Sequence, residues 1–493
     1  MSALPALRRL RPAAPKAAGS ARAGWTLAIV SIALFMATLD NLVVSTALPS
    51  IRRSLGASIS DLEWTVNAYT LTFAVLLLTG SALGDRFGRR RMFLGGLTLF
   101  TISSAAAALA PTTAALVAAR AFQGAGAAIV TPLTLTMLSE AFPAAKRGLA
   151  LGIWSGVSGL GVALGPVVGG AVITGISWHW IFWLNVPIGL VLVPLAALRL
   201  KESLGERRPL DLPGLVLVGT GLLGVTFGLV RGQALGWGSA PILGSIAVGL
   251  ALVAAFVAWE LRAKQPMLPM RFFRSRAFSA TNAVSLSMFF GIFGSIFLLS
   301  QFFQFVQHYT PLQAGLRVLP WTIMPMFVAP IAGILSDRIG SRPLMATGLA
   351  LQSGAMVWIA QVSTVTVPYS RLVPAFIMAG TGMALVFAPA ANAVLASVRP
   401  SEAGQASGAT NAIRELGGVL GVAVLAAVFS GSGSYLSPQA YVNGVIPAIR
   451  IGAVVLAVGA LVALLVPGKR SAQVAVASDD VPAARPESLP QAA

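Results

Sequence analysis

Between residues 26 and 467 the sequence alternates long apolar stretches with short charged connections, and only a lipid bilayer suits that alternation. A helical span needs about 20 mainly apolar residues. By that measure there are fourteen spans, at 26–48, 63–83, 92–110, 113–137, 148–174, 180–198, 213–231, 240–260, 278–305, 313–335, 343–361, 372–396, 404–429 and 446–467. Almost nothing remains for a soluble domain. Charged residues make up 10% of the chain, against roughly a quarter in soluble domains. The first run exceeds a signal-peptide core of about 7–15 residues, so we expect it to be retained.

The 34 Lys and Arg outnumber the 15 Asp and Glu. Such an excess also suits a nucleic-acid partner, so its distribution decides. Most of the basic residues fall in connections on the face shared with the N-terminus; Arg52, Arg53, Arg231, Arg317 and Arg371 fall on the other. The positive-inside rule then predicts that both termini are cytoplasmic. Topology accounts for the charge, and no nucleic acid is expected. The absence of cysteine excludes disulfides and thiolate chemistry. No metal-ligand cluster and no phosphate-binding G-x-x-x-x-G-K-[ST] loop stands in the chain, so we expect neither an enzyme nor a cofactor.

One charged turn is written twice. "LGDRFGRRR" at 83–91 returns as "LSDRIGSR" at 335–342, with Asp85 and Asp337 252 residues apart. The motif residues are Gly84, Asp85, Arg86, Gly88, Arg89 and Arg90, then Asp337, Arg338, Gly340 and Arg342. Gly88 and Gly340 allow the chain to reverse tightly between two spans. "QGAGAA" at 123–128 is echoed by "AGTGMA" at 379–384. The repeat divides the chain into a cytoplasmic tail (1–24), a six-span half (25–200), a linker with two extra spans (201–276), a second six-span half (277–467) and a cytoplasmic tail (468–493). Both tails are rich in Ala and Pro and read as disordered. Two halves around a midplane site is the logic of alternating-access transport.

Charge inside hydrocarbon marks function. Asp40 in span 1 lies about 21 Å from the cytoplasmic end of its helix, and Arg120 in span 4 about 25 Å, at 1.5 Å per residue. The two share a depth and are expected to pair, as a proton-coupling site or as a structural brace. In "GLGVALGPVVGG", Gly161, Gly165 and Gly169 recur every fourth residue beside Pro166 and Gly170. Such a stripe permits close helix contact. "WHWIFWLNVPIG" at 178–189 places three tryptophans and His179 at a membrane interface. Span 9 carries Phe293, Phe297 and Gln301, which with Gln123 and Arg414 we read as substrate-lining, since an apolar wall with a few polar groups suits a drug-like ligand. Glu415 adjoins Arg414 and points elsewhere around span 13.

Taken together, these motifs resemble the major facilitator superfamily, and within it the fourteen-span drug:proton antiporter branch, over essentially the whole chain except the tails. The resemblance implies an all-α membrane protein, two six-helix halves plus two central helices. It implies that the charged turn is a gate latch whose acid meets the cytoplasmic end of span 13, that Asp40 and Arg120 serve proton coupling, and that the span-5 glycines form an antiporter motif. Ser81 stands where the family usually has Gly, with Gly80 one place earlier. The implied partners are a small-molecule substrate, protons and the bilayer, with the chain acting as a monomer. The expected function is export of hydrophobic, often cationic, molecules against protons. A proton-coupled importer, or a narrow-range exporter of a self-made metabolite, is the alternative.

Overall fold

The computed structural model describes residues 16–142, 144–205, 210–398 and 403–468. Among them every regular element is helical. The first half holds α1 (Lys16–Leu55), α2 (Ile59–Phe87), α3 (Arg89–Ala108), α4 (Thr113–Ala141), α5 (Ala144–Gly175), α6 (Trp180–Trp183) and α7 (Asn185–Arg199). A hairpin follows, α8 (Leu212–Leu235) and α9 (Ala240–Glu260). The rest is α10 (Arg276–Gln301), α11 (Pro311–Thr322), α12 (Met324–Ile339), α13 (Ser341–Val362), α14 (Tyr369–Ala396), α15 (Ala403–Ser432) and α16 (Pro438–Ala463).

Twelve described helical segments are long and apolar enough to cross a membrane, or thirteen with the bent α2 taken as one. The α6–α7 and α11–α12 pairs each count as one segment. Helix α5 runs for 32 residues, with Leu164–Gly175 as its apolar part among the described residues. Helix α1 starts at Lys16, well before the apolar reading of 26–48, so the described part of the tail expected at 1–24 is helical rather than disordered. Apolarity registers only the stretch that crosses hydrocarbon, whereas backbone hydrogen bonding carries a helix beyond it. Residues 469–493 lie outside the described residues. Helix starts follow local chemistry: Ser58 with Asp61 and Thr310 with Gln313 form reciprocal capping boxes at α2 and α11.

Helix α4 packs on α2 and α3 and helix α1 on α5, while α10 packs on α15 and α13 on α14 and α16. The two groups touch where α5 meets α11 and α2 meets α15. The α8–α9 hairpin lies against α2 and α15.

Close packing explains the glycine echo. A Cβ on Gly124 would fall on the Tyr69 carbonyl of α2, and one on Gly380 would fall on the Trp321 carbonyl of α11. Two residues on, Gly126 presses on Gly96 and Phe100 of α3, and Gly382 on Gly348 of α13. The repeated letters therefore mark the same joint in both halves, where small residues let backbones meet.

Candidate functional site

Asp40 and Arg120 meet in the middle of the first half. One Asp40 carboxylate oxygen, Oδ2, accepts from Arg120 Nη1 at 2.5 Å. The other, Oδ1, accepts from Gln123 Nε2 at 2.8 Å and from Asn185 Nδ2 at 2.7 Å. Gln123 also bridges back, its Oε1 accepting from Arg120 at 2.8 Å. Ser104 Oγ accepts from Gln123 and Asn185. Arg120 Nε donates to the Thr65 carbonyl at 3.3 Å, and its guanidinium carbon lies 4.2 Å from the centre of the Tyr69 ring. Asp40 and Arg120 are each 1% exposed.

Five helices build this cluster: α1 brings Asp40, α2 Thr65 and Tyr69, α3 Ser104, α4 Arg120 and Gln123, and α7 Asn185. Burying two charges is costly unless each also finds hydrogen bonds. Here both carboxylate oxygens have donors and the cation has a carbonyl, an amide and a ring. Among the described residues Asp40 is the one acid in an ion pair with Arg120. Asn185→Ala removes a hydrogen bond to a charged group, with a cost of about 1.5–3 kcal/mol. A melting temperature lower by several degrees in the purified protein is the expected result; an unchanged one would contradict this network.

The sequence reading placed Gln123 among substrate-lining residues; the structure places it against Asp40. Asn185, Ser104 and Tyr69 had not been singled out. Asn185 lies within the quoted 178–189 motif, and an amide side chain deep in an apolar span was the available signal.

The charged turn is a built joint at the end of the bundle that carries the N-terminus. Gly88 has φ +107 and Gly340 φ +88, so each ends one helix and begins the next without a side chain in the way. Asp85 Oδ1 accepts from Arg89 at 2.7 and 2.9 Å, and Arg89 also pairs with Glu140. Arg86 is exposed, its guanidinium 5.4 Å from the Phe87 ring. Among the described residues the segment after α7 lies against this turn. Gly205 N donates to the Asp85 carbonyl, and Arg89 N to the Ser203 carbonyl. Glu202 accepts from Arg90 N and faces the Arg90 and Arg91 side chains. Gly80 and Gly84 press on Ala128 and Leu133 of α4, so Gly80 gives close packing despite Ser81. In the second copy Ser336 and Ser341 hydrogen-bond to each other, Arg338 and Arg342 are exposed, and the Asp337 side chain lies outside the described residues.

The α5 glycines do what their spacing predicts. Gly161, Gly165 and Gly169 lie against Thr38, Leu42 and Val43 of α1, the face two to three residues either side of Asp40. Gly170 meets the Pro311 carbonyl, and Gly315 of α11 meets the carbonyl of Pro166. Helix α5 thus joins the Asp40 helix to the opposite half. At the same end of the bundle Arg52 lies 3.7 Å over the Tyr435 ring, and Tyr435 donates to Gln301. Gln301 and Phe297 are buried, and Phe293 is half-buried. His179 stacks on Trp178 at 3.8 Å, and burial lowers its pKa. No group of three His, Cys, Asp or Glu that could hold a metal is found among the described residues.

The profile described as Major Facilitator Superfamily matches residues 30–422. The chain belongs to that superfamily. Among curated superfamily relatives, the tetracenomycin C resistance and export protein of Streptomyces glaucescens is 33% identical over 87% of this chain and 79% of its own length. The cephamycin export protein of Amycolatopsis lactamdurans is 38% identical over 84% and 86%. A multidrug resistance protein of Mycobacterium tuberculosis is 36% identical over 82% and 75%. Among solved structures, a POT family transporter with 5-aminolevulinic acid superposes with a TM-score of 0.66 at 14% identity, over 89% of this chain and 95% of that one. The xylose transporter of E. coli superposes with a TM-score of 0.61 at 16% identity, over 91% and 99%. This member of the superfamily is accordingly a multi-pass cell-membrane protein with the fold of these transporters.

Proposed function

We propose that the protein exports hydrophobic, often cationic, small molecules by exchange with protons. Halves 25–200 and 277–467 rock about the midplane, with fourteen spans in all and both termini in the cytoplasm. The sealed Asp40–Arg120 pair carries this reading, because a titratable acid holding a cation in a transporter core suits coupling. The export and resistance names of its relatives and the α5 glycine stripe support the outward direction. They also count against the importing alternative.

In this cycle Asp40 takes a proton from outside and loses its hold on Arg120, which keeps the Thr65 carbonyl, Gln123 and the Tyr69 ring. Proton release to the cytoplasm restores the charge and closes the pair again. The Asp85–Arg89 turn is the cytoplasmic gate, held here by the 202–205 segment, and the α5–α11 contact closes the outer face. No step calls for a cofactor, and one chain holds both halves. Efflux of ethidium from expressing cells is expected to exceed that of empty-vector cells and to collapse with a protonophore. Ethidium efflux that persists without a proton gradient would contradict proton coupling.

A further inference from the structure

Among the described residues two arginines, Arg120 and Arg414, are buried inside the bundle, and their surroundings differ in kind. Arg120 is committed to Asp40, Gln123 and Thr65. Arg414 on α15 is 7% exposed, and none of the ion pairs among the described residues includes it. Its Nη1 reaches Asn411 Oδ1 at 3.4 Å, while Nε and Nη2 have no hydrogen-bond partner. Those two nitrogens share one edge of the guanidinium, the edge that grips a carboxylate through two parallel bonds. Buried donors are nearly always paired in folded proteins, and in a bilayer no solvent serves in place of a partner.

The surroundings are aromatic and polar together. The guanidinium carbon lies 4.7 Å from the centre of the Phe387 ring and 6.0 Å from that of Phe289. Phe289 stacks in turn on Phe293, with centroids 5.7 Å apart and 17° between planes. One turn before Arg414 on its own helix, Thr410 Oγ1 is buried without a partner. On α10, Ser285 is one turn before Phe289, and its Oγ is likewise unpaired. No ion pair joins Arg414 to Glu415, next in the chain, among the described residues, and Glu415 Oε2 is also unpaired. Successive residues point about 100° apart on a helix, so the Arg414 and Glu415 side chains leave α15 in different directions.

We infer that Arg414 is the anion-recognition point of a substrate site formed by α10, α14 and α15, which takes the carboxylate or acidic phenol of a flat aromatic molecule lying against Phe289 and Phe387. Its place in a transport cycle rests on the export reading above and deepens it: acidic aromatics join the cationic ones as cargo.

The test uses the purified full-length protein and two dyes on one xanthene frame, anionic fluorescein and cationic rhodamine 6G, with binding read by fluorescence anisotropy. Wild type is expected to bind fluorescein, and Arg414→Gln to weaken it at least about tenfold while changing rhodamine 6G less than about twofold. Arg414→Lys keeps the charge and loses the fork, so a fluorescein loss of at least about fivefold is expected with the fold and rhodamine binding kept. Absence of fluorescein binding to wild type would overturn the inference. So would unchanged binding in both variants, or equal loss of both dyes in the lysine variant. Asp40→Asn should still bind fluorescein. If wild-type vesicles export neither dye while this binding pattern holds, the export reading fails and the anion site stands.

Discussion

Asp40→Asn is expected to reduce protonophore-sensitive efflux to the empty-vector level while the protein remains folded in the membrane. Asparagine matches the carboxylate in size and still offers an oxygen to Arg120, but it cannot carry a proton. Removing one partner of a buried pair costs as much as about 3–5 kcal/mol when the other charge is left bare. Arg120 is not left bare here, because the Thr65 carbonyl, Gln123 Oε1 and the Tyr69 ring remain in place. The energetic loss should therefore fall below that range, and the functional loss should be complete. Membrane abundance together with efflux separates the two. Wild-type efflux from the variant would remove Asp40 from the mechanism.

Gly315→Leu is expected to shift the outer face away from its closed state. A side chain at Gly315 would fall on the Pro166 carbonyl, and Gly170 leaves no slack beside it against Pro311. Overpacking of this kind costs about 1–3 kcal/mol, and at about 1.4 kcal/mol per factor of ten the shift between states is roughly 5- to 150-fold. The chain contains no cysteine, so one introduced thiol reports without background. Ser45 lies at this joint, lining one small cleft with Pro166, Gly315 and Ser300, and its carbonyl accepts from Ser300 of α10 at 2.8 Å. In a Ser45→Cys protein, labelling by a membrane-impermeant maleimide should be slow with Gly315 and at least about tenfold faster with Gly315→Leu. Equal rates would mean that the α5–α11 contact does not set the outer gate.

The sequence announced whatever is expensive in a bilayer. Asp40 and Arg120 stood out because charge in hydrocarbon requires a partner. The glycine stripe and the 123–128 echo stood out because a missing side chain at a fixed interval has few other uses. Neutral polar residues were harder, since Asn185 or Ser104 can satisfy itself on its own helix, as Asn282 does by donating to the Phe278 carbonyl. Only the three-dimensional path of α7 shows that Asn185 turns to Asp40. The contact between Gly205 and Asp85 was likewise illegible, because no periodicity records where a connecting segment folds back. No periodicity in span 9 showed which of its faces is covered, and burial of Phe289, Phe290 and Phe297 shows α10 packed inside its half.

The central claim is that movement of substrate and movement of protons are one event at Asp40. The direct measurement is proton flux in proteoliposomes of purified protein, read by a trapped pH dye as ethidium is added. Substrate-dependent proton movement is expected for wild type, with none above protein-free liposomes for Asp40→Asn. Undiminished ethidium-driven proton movement in the variant would contradict the account.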